Sequence, residues 1–175
     1  MKTIFTICMA LLGLHGLYAQ PAKGDFTLGG SVNAQWSWQD SRVNTLAIDP
    51  RIGYFITPQL LVEGELSGGV TDIELGDYDD AYWRVGIGAS TTYYLVEGTW
   101  SPLVYVHGGL RGYGGFTEPV ISGLPSFQYG AGLGSIFWLQ PKLALEGVVK
   151  AEFDRFGFGI YPQIGFKYLW RRNAD

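Results

Sequence analysis

The chain has 175 residues, 26 of them glycine, with 15% aromatic and only 16% charged residues. That length suits one domain, and no Pro-, Ser- or charge-rich stretch divides it. The formal net charge of -4 argues against a nucleic-acid partner, because a phosphate-binding surface is basic.

Residues 1–19 have the layout of an export peptide. Lys2 precedes an apolar run from Ile4 to Leu14, and Leu17-Tyr18-Ala19 precedes Gln20, with cleavage expected after Ala19. The run is shorter than the roughly 20 residues that a spanning helix needs. Cys8, the only cysteine, falls inside this peptide. The remaining domain, residues 20–175, therefore has no disulfide, thiolate nucleophile or cysteine metal ligand.

Beyond it, short stretches alternate apolar or aromatic residues with glycine or polar ones, the period of a strand whose two faces meet different surroundings. Strands are expected at Phe26 to Ser37, Leu46 to Ile56, Leu60 to Val70 and Ala81 to Leu95. Four more follow at Pro102 to Gly114, Phe127 to Trp138, Lys142 to Glu152 and Gly159 to Trp170. Their connections alternate in length. Thr57-Pro58-Gln59, Val96 to Ser101 and Leu139-Gln140-Pro141 are short. Trp38 to Thr45, Thr71 to Asp80, Gly115 to Ser126 and Phe153 to Phe158 are mostly longer and richer in Asp, Ser and Gly. Short periplasmic turns and long extracellular loops on an even number of strands predict an all-β fold, an eight-stranded antiparallel up-and-down transmembrane β-barrel. Pro50 and Pro162 interrupt two of these strands and are expected to mark bulges or misplaced boundaries.

The outward face is expected to carry Leu28, Val32, Ile48, Ile52, Val62, Leu66, Val85, Ile87, Val106, Leu133, Leu145 and Val149, with no charge among them. Trp36, Tyr54, Trp83, Tyr93, Phe137 and Trp170 fall near strand ends, where aromatic girdles meet lipid headgroups. The inward face carries Asn33, Gln35, Tyr105 and Gln128 with a charged set: Asp49, Arg51, Glu63, Glu65, Arg84, His107, Arg111, Glu146, Lys150 and Lys167. An isolated buried charge costs several kcal/mol, so opposite signs should pair across strands. Arg51 is expected to pair with Glu63 or Glu65, and Glu146 with Arg111, Lys150 or Lys167. Inward glycines such as Gly53, Gly86, Gly130 and Gly132 leave room for these heads. An eight-stranded interior is just wide enough for side chains to fill, so a polar plug is expected.

Catalytic chemistry finds little support. His107 is the only histidine beyond the export peptide, and a general base needs a nucleophile within hydrogen-bond reach. It is expected to belong to the interior network, and the chain is not expected to be an enzyme. Glu74, Asp77, Asp79 and Asp80 lack the spacing of a calcium loop and are expected to be a solvated charged loop. No metal or cofactor is expected.

Arg51-Ile52-Gly53-Tyr54-Phe55 followed by Thr57-Pro58, together with the alternating Phe166, Tyr168 and Trp170 near the end, resembles the small outer-membrane β-barrel superfamily of Gram-negative bacteria. That group includes the OmpX-like and OmpA transmembrane-domain families, and the chain looks most like Bacteroidetes porin-family or outer-membrane β-barrel-domain proteins. The resemblance implies a bacterial outer-membrane location after signal-peptide-dependent export. It also implies that Phe166, Tyr168 and Trp170 act as the signal read by the barrel-assembly machinery, here followed by Arg171 to Asp175. Outer-membrane lipid and lipopolysaccharide are the implied partners, with an extracellular ligand taken by the loops. The expected role is structural or surface-interaction; a narrow diffusion pore and a lipid-modifying barrel enzyme are the alternatives.

Overall fold

A computed structural model describes residues 21–37, 42–75, 78–115, 125–154 and 157–171, with backbone alone at 35–37, 42–44, 73–75 and 78–80. The expected export peptide and the tail after Arg171 lie outside the described residues. Eight strands follow one another: β1 Phe26–Ser37, β2 Arg42–Thr57, β3 Leu60–Leu75, β4 Tyr78–Tyr94, β5 Trp100–Gly115, β6 Ser126–Gln140, β7 Leu143–Asp154 and β8 Gly157–Trp170. Each pairs antiparallel with its neighbours in sequence, and β8 returns to β1, closing the barrel. Closure satisfies backbone groups between strands, which hydrocarbon cannot do.

Several strands run further than the sequence pattern suggested. Thr71 to Asp80, expected as a loop, is mostly ladder: Thr71 pairs with Tyr82, Ile73 with Asp80 and Glu74 with Asp79. β-Branched and aromatic residues there favour strand, and their alternation was masked by the intervening acidic residues. The loop expected at Phe153 to Phe158 also shrinks, because Phe153 pairs with Phe158 and Asp154 with Gly157. The side chains of Glu74, Asp79 and Asp80, and all of Asp77, lie outside the described residues.

Neither proline makes a bulge. Pairing between β2 and β3 lapses at Asp49 and Pro50, then resumes at Arg51 and Glu65 without a change of register. Pro162 sits opposite Val149 in an unbroken β7–β8 ladder. The register shifts lie beside short turns, between Phe55 and Thr57 and between Trp138 and Gln140. Both prolines point outward.

Side chains segregate by parity. Leu28, Ile48, Ile52, Leu66, Ile87, Leu133 and Ile164 are among the large apolar residues exposed around the barrel, Ile164 at 70%. An apolar surface on every strand far exceeds the patch that a water-soluble monomer leaves open. It matches the lipid-facing band of a transmembrane barrel.

The interior departs from the expected polar plug at one end. Phe55, Leu61, Leu103, Ile136 and Leu169 are almost completely buried and cluster with Tyr94, Trp138, Ala144 and Val148. Apart from Val148, which lies between Glu146 and Lys150, they occupy the same inward faces as the polar layer but nearer the short turns: Leu61 before Glu63, Leu103 before Tyr105, Ala144 before Glu146, Leu169 after Lys167. An apolar floor thus closes the lumen at the short-turn end, beneath the charged layers.

Leu145 faces outward beside inward Glu146. Leu145→Arg should weaken folding into lipid vesicles by about 2–4 kcal/mol if the site lies near the bilayer midplane. Urea titration monitored by heat-modifiable gel migration measures the loss, and parent-like stability would contradict the assigned facing.

Candidate functional site

The lumen gathers all the inward charged residues expected from the sequence, and it sorts them into groups. Directly above the apolar floor, Arg51 from β2 meets Glu146 from β7 at 3.0 Å, with Glu63 and Glu65 from β3 each at 3.7 Å. Lys167 from β8 donates to Glu63 at 2.6 Å and lies 3.1 Å from Glu146. Two cations thus interleave with the carboxylates of Glu63 and Glu146, and each charge has a partner of opposite sign. The geometry provides the close pairing that offsets desolvation of buried ions.

Next to this layer, Tyr105 donates to Glu65 at 2.6 Å and accepts from Lys150 at 3.0 Å. The Lys150 ammonium also lies 4.2 Å from the centre of the Tyr105 ring, a cation–π geometry. Glu146 therefore takes Arg51 and Lys167 but neither Arg111 nor Lys150. Sequence parity alone groups those two with Glu146, and parity says nothing about height along the lumen.

Asp49 and Arg84 are joined through an amide. Asn33 donates from Nδ2 to Asp49 at 2.7 Å and accepts at Oδ1 from Arg84 at 3.1 Å. Arg84 spans from β4 to β1 in doing so. It makes no ion pair among the described residues, and its Nε has no hydrogen-bond partner.

Towards the long-loop end, Arg111 donates to Glu152 at 2.7 Å and lies 3.7 Å from Asp154. Tyr161 also donates to Glu152, and Tyr113 donates to Asp154 at 3.0 Å. Glu152 and Tyr161 are central here although the sequence reading did not single them out. Their parity with Lys150 and Lys167 was the available signal.

His107 packs beside Tyr105, with ring centroids 5.4 Å apart, and its Nε2 lies 3.4 Å from Glu152. That Nε2 makes no hydrogen bond, so no nucleophile is held against it as base catalysis requires. Gly130 makes this placement possible, since a Cβ there would fall 2.5 Å from His107 Nε2. Among the described residues, no group of His, Cys, Asp and Glu is arranged to hold a metal ion.

The aromatic residues divide between two rims. Tyr54 meets Phe26 edge-to-face at 5.1 Å, Tyr93 donates to Gln59 at 3.1 Å, and Trp170 is exposed at the same rim. Phe137 also lies at that end, opposite Trp100. Trp83 lies at the other rim over Gly114, where any Cβ would strike its indole. The Trp36 side chain lies outside the described residues. The long-loop rim also carries a run absent from the sequence-based girdle: Phe127, Tyr129, Phe153 and Phe158, with successive ring centroids 6.0, 5.5 and 4.7 Å apart. Its members come from three strands, so only the register brings them together. Phe166, Tyr168 and Trp170 all face outward.

This combination, a closed eight-stranded antiparallel barrel with an apolar exterior and a charge-paired interior, defines a transmembrane β-barrel. Solved structures share the architecture. Neisserial surface protein A aligns with a TM-score of 0.58 at 14% identity, covering 85% of this chain and 98% of that one. The N-terminal β-barrel domain of Pseudomonas aeruginosa OprF gives 0.53 at 10% identity, covering 86% and 100%. Ail, the attachment invasion locus protein of Yersinia pestis, solved with the heparin analogue sucrose octasulfate, gives 0.50 at 13% identity, covering 85% and 99%. No protein-family model and no curated protein sequence matches this chain. At these identities the shared property is the fold.

Removing Lys167 tests the ionic layer. Lys167→Met would leave Glu63 and Glu146 buried with Arg51 as their remaining close cation. Breaking such a buried arrangement costs about 3–5 kcal/mol, and the shift of the urea midpoint in vesicles measures it. A loss under about 1 kcal/mol, the scale of an exposed pair, would show that this layer is hydrated.

Proposed function

We propose that the chain is a non-conducting, non-enzymatic protein of the bacterial outer membrane whose long-loop rim serves structural or surface-interaction roles. The observation that carries this reading is the apolar floor. Phe55, Leu61, Leu103, Ile136 and Leu169 fill the short-turn end, and above them the Arg51, Glu63, Glu146 and Lys167 heads occupy the barrel. A path for ions would have to break both layers, which weighs against the diffusion-pore alternative. The lack of a nucleophile on His107 Nε2 weighs against hydrolytic use of that residue.

The lipid-facing band and the likeness in fold to barrels such as the OprF domain support the outer-membrane location. The particular likeness to Bacteroidetes porin-family proteins rests on the Arg51 to Pro58 segment and the Phe166, Tyr168 and Trp170 alternation. Export through residues 1–19, assembly by the barrel-assembly machinery and contact with lipopolysaccharide belong to the same reading. In this placement the Phe26 end of β1 and the Trp170 end of β8 lie at the periplasmic rim. The long-loop rim then lies at the outer surface, which is the part available to an external partner.

Planar-bilayer recording of the folded protein should show no steady conductance. A stable open channel from the parent chain would defeat the closed reading. Surface labelling of cysteines introduced one at a time at Gly98 and Gly157 supplies the orientation: on intact cells, Gly157→Cys should react and Gly98→Cys should not.

A further inference from the structure

The closing seam of the barrel is only partly zipped. Strands β1 and β8 pair from Phe26 and Trp170 up to Asn33 and Gln163, and there the ladder stops. β1 nevertheless continues through Ala34–Ser37, paired on its other side with β2. β8 begins at Gly157, and Gly157–Pro162 pairs only with β7. The next pair in register would be Ala34 with Pro162, where proline has no N–H to give. Facing backbone edges are therefore left without a ladder along the upper seam. Outside it, Val32, Ile160 and Ile164 are exposed, so the split faces the apolar belt below the Phe153–Phe158 aromatic pair.

Immediately inside lies an incompletely satisfied cation. Arg84 is only 7% exposed, makes no ion pair among the described residues, and reaches the seam by donating to Asn33, the last residue of the β1 side of the ladder. Its Nε is unpartnered, as is Oε1 of Gln163, the last residue of the β8 side. A buried guanidinium bonded to a neutral amide favours an anionic oxygen ligand, which can take two parallel N–H donors. A seam that lacks ladder bonds beside such a group is a weaker stretch of wall, facing the membrane, than the rest of the circumference, which is laddered over a longer span.

We propose that the upper β1–β8 seam is a lateral port through which a membrane-dissolved amphiphile places a single anionic head against Arg84 and Asn33, its tail remaining in the leaflet beside Ile160 and Ile164. The head is a phosphate monoester or carboxylate. This goes beyond the proposed function but takes from it the closed floor, which makes the lumen a holding site and not a passage. Asp49, Glu152 and Asp154 line the neighbouring lumen, so a head bearing more than one phosphate is disfavoured and a small one preferred.

The test uses the full chain folded in nanodiscs of zwitterionic lipid, with dodecyl phosphate as probe and inorganic phosphate as the soluble counterpart. Ser37→Cys with Gly159→Cys, three places further along the same register, puts a thiol pair across the seam while keeping Pro162, in a domain that otherwise has no cysteine, so oxidation staples the port and reduction reopens it. Dodecyl phosphate should bind the parent and the reduced double variant, and at least tenfold more weakly to the oxidised form. Arg84→Gln should weaken binding by a similar factor while Arg84→Lys retains part of it, with heat-modifiable migration confirming that each variant is folded. Dodecyl phosphate binding that ignores both the staple and Arg84→Gln would overturn the proposal, as would no binding by the parent. If inorganic phosphate binds as tightly as dodecyl phosphate and neither responds to the staple, the anion enters from the long-loop mouth and the lateral port is wrong. Planar-bilayer silence is measured separately, so failure of the port leaves the closed reading standing, and a conducting parent would defeat that reading without touching the binding result.

Discussion

Everything in this barrel depends on the strand period of two operating inside a closed ladder. A strand offers its side chains to opposite faces in turn. Closure turns those faces into an outside and an inside, separated by a continuous ladder except along the upper β1–β8 seam. A one-residue slip in a strand would carry its polar or charged residues into hydrocarbon and its apolar residues into the ionic lumen. In β7, Leu145 and Val149 face out while Glu146 and Lys150 face in, so a slip there would expose both signs of charge at once. Register is therefore fixed by two solvents together, more strongly than by either alone.

The inward face is itself divided, and this division gives the barrel its character. Near the short turns it is aliphatic and aromatic; in the middle it is a lattice of alternating charge; towards the long loops it is held by tyrosine and carboxylate. The strands accommodate this by changing residue chemistry every second position without changing parity. Phe55, Gly53 and Arg51 are successive inward positions of β2, running from floor to ionic layer. Glycine at the middle position has a steric reason: a Cβ on Gly53 would lie 2.7 Å from Glu63 Cγ and 2.6 Å from Thr27 Oγ1. The crowding of the lumen thus reaches back into the choice of residue on the wall.

The fold was largely legible because alternation is a local signal repeated on every strand, and because short and long connections followed each other in order. The inward charges were legible for the same reason. Their partners were not. Pairing Glu146 with Lys167 and Arg51, while Arg111 goes to Glu152, depends on the stagger between strands, which no single stretch contains. The floor was missed because Leu61 and Leu103 look like any other apolar residue until parity is set against their polar neighbours two places away. Pro162 was noticed as an irregularity, but its consequence lies on β1, more than a hundred residues earlier in the chain.

The ionic layer also bears on assembly. Its members come from opposite ends of the sequence: Arg51 and Glu63 from the second and third strands, Glu146 and Lys167 from the last two. Each hairpin holds a longer pair of its own, Arg51 with Glu63 at 3.7 Å and Lys167 with Glu146 at 3.1 Å. The shorter contacts, Arg51 with Glu146 at 3.0 Å and Lys167 with Glu63 at 2.6 Å, form only between hairpins, so a sheet that has inserted but not joined end to end leaves its buried ions less well compensated. The closest pairs arrive only with the final closure. The same electrostatics that fill the finished interior thereby act as a proofreading step, penalising half-built sheets and driving the last strand home.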